Sequence, residues 1–121
     1  MLKTAQTHPR EFLAGVPINS QRRDVVEEVH RCADAVLVKV LPNAQHFNPA
    51  GPKYKPSYRA LAQRKLPFLS HVGYEFSLIG KDQLLGDPDR IRLALDEGVT
   101  VIAVHGCSYG LMFYEKFLPT L

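Results

Sequence analysis

The apolar positions of this chain gather into four short runs, separated by stretches whose apolar residues recur with helical spacing. Leu66 to Gly73 reads L-P-F-L-S-H-V-G: a proline ends what precedes it, apolar residues follow, and a histidine and then a glycine close it. A brief apolar run bounded by turn signals marks a strand buried on both faces, as parallel sheets require. Upstream, Val36 to Pro42 (V-L-V-K-V-L-P) repeats the form with Lys39. Downstream, Val99 to Gly106 (V-T-V-I-A-V-H-G) repeats it with His105. A first strand is predicted over Glu11 to Ile18, although Gly15 and Pro17 weaken it.

The helical stretches fall between these runs. Residues 1–9 carry little signal beyond the tail of a helix ended by Pro9. Asn19 or Ser20 can cap a helix from Gln21 to about Ala33. Val25, Val26, Val29, Cys32 and Ala33 share one face of it, leaving Arg23, Glu27, His30, Arg31 and Asp34 on the other. His30 is accordingly a surface residue and Cys32 a core residue. A short helix over Ser57 to Arg64 turns Tyr58, Leu61 and Ala62 inward. Asp87-Pro88 starts another, with Asp as cap and Pro at the first position, and Gly98 ends it. Its buried face is expected to hold Ile91, Ala94 and Leu95.

Strand and helix alternate throughout, which predicts an α/β fold of four parallel strands with right-handed crossovers. Lys39 to His71 spans 32 residues and His71 to His105 spans 34, each about one strand-plus-crossover unit. The three polar groups are therefore expected along one sheet edge, at the strand C-termini where such folds bind ligands. Two long connections leave that edge. Pro42 to Pro56 holds four prolines in fifteen residues and reads as a shaped loop. The second, Tyr74 to Gly86, includes Glu75 and Asp82. His46 in the first connection and Glu75 in the second are candidate substrate contacts.

Composition narrows the class. With 121 residues, 45% hydrophobic and 22% charged, residues 1–121 form one domain of ordinary globular make-up. The net charge of +3 comes from scattered basic residues, with Arg22-Arg23 and Lys53/Lys55 as clusters. That is too weak a pattern for a nucleic-acid partner. No apolar run approaches the ~20 residues of a membrane span, and the N-terminus has no signal-peptide core. Two cysteines give no disulfide framework. A cytoplasmic, reduced protein fits these features.

Histidines at the ends of adjacent parallel strands can converge on one ion, because neighbouring strands lie only ~4.8 Å apart. Imidazole suits zinc and other first-row divalent metals. The lysine fits such a site if carboxylated, since the added oxygens can bridge ions. The bland alternative leaves His71 and His105 as hydrogen-bonded polar strand ends. A second chemistry competes: Gly106-Cys107-Ser108-Tyr109-Gly110 matches the G-x-S-x-G of a nucleophile elbow. That fold orders its triad Ser, acid, His, and no histidine follows Ser108, so the triad cannot be completed in that order within this chain.

V-L-V-K-V-L-P-N-A-Q-H-F-N-P, L-P-F-L-S-H-V-G and G-V-T-V-I-A-V-H-G together resemble the middle of an amidohydrolase-superfamily barrel. The resemblance runs from about Phe12 to the C-terminus and makes the four strands the third to sixth of eight, half of a TIM-type barrel. It implies that His71 is a metal ligand, and that His105 is a second ligand or a catalytic group beside the metal-bound water. Lys39 would occupy the position of the carboxylated lysine. The chemistry implied is attack of a zinc-activated water on a carbonyl or amide-type substrate. The family's first-strand His-x-His is absent, and its eighth-strand aspartate would lie beyond Leu121, so the expected product is a fragment or remnant of such a hydrolase. A non-catalytic α/β binding or assembly module is the alternative. Unclosed sheet edges predict a homo-oligomer.

Overall fold

The computed structural model describes residues 2–32, 34–74 and 82–105. Within them lies the expected α/β architecture: four strands, all parallel, alternating with helices. The strands are β1 (Gly15–Pro17), β2 (Leu37–Val40), β3 (Phe68–His71) and β4 (Val101–Val104), in the spatial order β1-β2-β3-β4. The helices are α1 (Leu2–Thr7), α2 (Val25–Arg31), α3 (Pro42–Gln45), α4 (Lys55–Gln63) and α5 (Arg92–Asp96). Short 3₁₀ turns occupy Pro52–Tyr54, Gln83–Gly86 and Pro88–Ile91.

Register divides the sheet into two faces. Val38, Phe68 and Val101 are partners across three strands, as are Val40, Ser70 and Ala103. On that side Val38, Val40 and Phe68 are buried in one cluster with Val29 and Cys32 at α2, Tyr58 and Leu61 of α4, and Ala94 of α5. The three crossover helices thus share one face. Sequential strand order with all crossovers on one side is the arrangement of consecutive units in a β/α barrel, whereas a doubly wound sheet reverses its strand order. Side chains alternate along a strand, so the other face carries Leu37, Lys39, Leu69, His71, Ile102 and Val104.

Ring packing, hydrogen bonds and ion pairs fasten this frame. Tyr58 packs edge-on against Phe68, ring centroids 5.4 Å apart, and its hydroxyl donates to the Pro49 carbonyl at 2.9 Å. Arg64, just past α4, donates to the Val29 and His30 carbonyls at 2.9 and 2.6 Å, satisfying the end of α2. Glu97 binds Arg59 at 2.6 Å and Lys55 at 3.7 Å, tying the end of α5 to α4. Gly98 adopts φ +83° after α5, a left-handed turn that glycine makes without strain.

Several boundaries differ from those read in the sequence. The first strand contracts from residues 11–18 to three residues, because Pro17 lacks a ladder donor and Phe12 and Leu13 are exposed ahead of it. α2 starts at Val25 rather than Gln21: Asn19 instead accepts from the Gln21 amide at 3.0 Å, an Asx turn that keeps the chain out of the helix. Asp24 precedes α2 without capping it, its carboxylate being taken by Arg22 and Arg31. Leu95 is 51% exposed, not buried. The turn Pro88–Ile91 is 3₁₀, which shifts the angular phase of α5 so that Leu93 packs against the core instead. Cys32 is buried and His30 exposed, as expected, while Ala33 lies outside the described residues.

Candidate functional site

The site is built on the face opposite the helices, at the C-terminal ends of β2, β3 and β4. A cavity of about 110 Å³ there is lined by Lys39, Leu41, Leu69, His71, Val104 and His105. The three polar residues singled out in the sequence therefore meet in one place. Lys39 pairs with Leu69 in register, and His71 lies two residues further along β3 on the same face. Strand spacing and rise put the Lys39 and His71 backbones about 8 Å apart, within reach of a lysine side chain. Lys39 is exposed on this face, which removes the desolvation cost that a lysine in an apolar strand otherwise carries.

His105 arrives by a different route. Val104 is the register partner of His71, so a continued strand would send the next side chain to the helix side of the sheet. Instead β4 ends at Val104, and His105 takes φ +74°. Non-glycine residues in this region are uncommon and cost on the order of 1–3 kcal/mol; such outliers cluster at functional sites. The turn brings the His105 ring to His71, with centroids 4.7 Å apart and planes inclined by 53°. His71 is only 4% exposed and His105 is open to solvent, giving one fixed and one accessible imidazole.

Two imidazoles that share a tetrahedral ion through nitrogens about 2 Å from it have ring centres about 5 Å apart. The observed spacing fits that requirement. It provides two donors: among the described residues no group of three or more His, Cys, Asp or Glu side chains converges. The pair can therefore hold a divalent cation at two positions of its coordination sphere.

The connections around the cavity are also placed. α3 occupies part of the proline-rich stretch read as a shaped loop, because Pro42 at its first position is preorganised for a helix; Pro56 sits at the second position of α4. Asn43, fully buried, donates to Gln83 at 3.2 Å and joins the connection after β2 to the one after β3. The Gly73 amide donates to the Gly86 carbonyl at 2.7 Å, and a Cβ at Gly86 would collide with the Gly73 carbonyl oxygen. This close approach holds the chain just beyond His71.

His46 does not join the other three. It is exposed at the end of α3 with φ +54°, and its carbonyl accepts from Gln21 Nε2 at 2.8 Å. Glu75, and Ser108 with the surrounding G-x-S-x-G, lie outside the described residues. The apolar wall of Leu41, Leu69 and Val104 was not singled out in the sequence. Period-two spacing from Lys39 and His71 marks the first two as sharing the face.

No helix of the described residues is long and apolar enough to cross a membrane. The family resemblance rests on the three strand-end motifs. No family model matches the chain, and no curated protein or solved structure matches it either.

Proposed function

We propose that His71 and His105 form the metal-binding side of a hydrolase site of the amidohydrolase type, with Lys39 facing the same cavity. The observation that carries this reading is the left-handed turn at His105, which spends backbone energy to set its ring 4.7 Å from that of His71. The parallel-sheet C-terminal edge, where such folds bind small molecules, supports the same reading.

His71, buried against the sheet, is the fixed ligand; His105, open to solvent, is the ligand or proton-handling group on the substrate side. A zinc ion, if bound, would be held by the imidazoles of His71 and His105 and would supply Lewis-acid chemistry toward a water and a substrate carbonyl. Lys39 supplies either an ammonium that orients the oxygen of a carbonyl or amide-type small molecule, or two further oxygen donors if its amine is carboxylated. The remaining cation positions are left to water, substrate or residues beyond this pair. Self-association at β1 and β4, the outermost strands among the described residues, belongs to the same reading. Light scattering over a concentration series is expected to give a mass above one chain, and a concentration-independent monomer removes that part.

Calorimetric titration of zinc into chelator-stripped protein tests the site. One equivalent is expected to bind at micromolar concentration, with affinity falling about tenfold or more in the His71→Ala, His105→Ala double variant. Absence of uptake at micromolar zinc assigns the pair to packing and leaves a non-catalytic α/β binding module.

A further inference from the structure

A second cavity, about 320 Å³ in volume, opens between the connection that follows β1 and the start of α4. Its walls include Ser20, Arg22, Arg23, Lys53, Tyr54 and Ser57. Arg22-Arg23 and Lys53, drawn from the two basic clusters of the sequence, thus face one space. The connections that carry them are stitched together: Gln21 Nε2 donates to the Gln45 and His46 carbonyls at 2.5 and 2.8 Å, and Gln45 Nε2 donates to the Ile18 carbonyl at 2.8 Å. These bonds fix the separation of the walls.

Charge around this cavity is unevenly matched. Asp24 accepts from Arg22 at 2.8 and 2.7 Å and also from Arg31 at 2.9 Å, so one carboxylate serves two guanidiniums. Lys55 and Arg59 share Glu97. Among the described residues neither Arg23 nor Lys53 has a carboxylate partner. The Lys53 ammonium is instead 5.0 Å from the centre of the Tyr54 ring, a cation–π contact that holds it beside the cavity. The Ser20 hydroxyl, in a buried residue of the wall, has no hydrogen-bond partner among the described residues. α4 directs its first turn at the cavity through Ser57, adding its partial positive charge.

We propose that this cavity binds the phosphate group of a small phosphomonoester. Guanidinium and ammonium donors with a hydroxyl suit a tetrahedral dianion. The volume exceeds what bare phosphate fills and lies at the lower end of small-molecule sites. The organic part packs on Tyr54 and the neighbouring apolar wall. The site is separate from the histidine pair and does not depend on a metal.

Phenyl phosphate is the probe, titrated into chelator-treated full-length protein at low salt and followed by calorimetry and by amide NMR shifts. Saturable binding is expected, with shifts centred on residues 20–26 and 53–57. Arg23 and Lys53 are both exposed, so Arg23→Ala, Lys53→Ala should keep the fold, checked by an unchanged unfolding midpoint. That variant should lose about tenfold or more in affinity, and benzoate should bind more weakly than phenyl phosphate. The His71→Ala, His105→Ala variant should bind phenyl phosphate as the parent does, which separates this site from the metal reading. Unchanged affinity in the Arg23/Lys53 variant, equal binding of benzoate, or shifts centred on Lys39, His71 and His105 would overturn the proposal. Tighter binding of a single-stranded oligonucleotide than of phenyl phosphate would overturn it in favour of a nucleic-acid surface.

Discussion

Replacing Tyr58 with phenylalanine removes one oxygen atom from the centre of the fold and tests how the proline-rich connection is held. Tyr58 is 2% exposed, and its hydroxyl donates to the carbonyl of Pro49, itself fully buried, at 2.9 Å. Burial pushes the Tyr58 hydroxyl well above its ordinary pKa, so it remains a donor throughout the working pH range. Tyr58→Phe keeps the edge-on packing against Phe68 and leaves the Pro49 carbonyl without its donor in a dry site. An orphaned buried acceptor costs about 1–3 kcal/mol. With a urea slope of about 2 kcal/mol per molar for a domain of this size, the unfolding midpoint should fall by about 0.5–1.5 M at unchanged slope. Tyr58→Ala, which also deletes the ring, should cost about 3–5 kcal/mol. A Tyr58→Phe midpoint indistinguishable from the parent would show that the hydroxyl does not anchor Pro49.

Two further perturbations bear on the frame. Gly86→Ala drives a Cβ into the Gly73 carbonyl oxygen and forces the chain after β3 to move, so stability should drop by about 1–3 kcal/mol and zinc affinity with it. Parent-like unfolding and zinc titrations would contradict the close approach. The hydrogen bonds from Arg22, then Arg31, hold the Asp24 carboxyl below the usual carboxylate range, and that from Arg59 does so for Glu97 against the opposing effect of burial. Depressed folded-state values contribute stability that is present above the unfolded pKa of about 4 and lost as pH falls through the folded values. The unfolding midpoint should therefore decline on acidification below about pH 4, and Asp24→Asn or Glu97→Gln should flatten the decline; equal slopes in parent and variants would remove these pairs as its cause.

Strand positions were legible because buried parallel strands leave an apolar signature that needs no tertiary context: Val38, Val40 and Phe68 are in the core and Lys39 and His71 share the opposite face. Gly98 was legible for the same reason, as helix termination is local chemistry. Leu95 was not, since a 3₁₀ first turn changes the phase of α5 by an amount the pattern of apolar residues does not record. The helical start at Pro42 carried a readable signal, proline's fitness for a first helical position, which the density of prolines hid. The Gln21–Gln45 clamp joins residues 24 apart with polar side chains that look solvated in sequence. The turn that lays His105 on His71 is likewise tertiary: strand alternation alone sends His105 to the opposite face.

The histidine pair is the centre of this account, and ¹⁵N NMR of the imidazole nitrogens during zinc titration tests it most directly. The chain has five histidines. Large shifts at one ring nitrogen each of His71 and His105, saturating together near one equivalent while His8, His30 and His46 keep their positions, are the predicted result. Saturating zinc that leaves both His71 and His105 unshifted, or shifts the surface histidines instead, would contradict it.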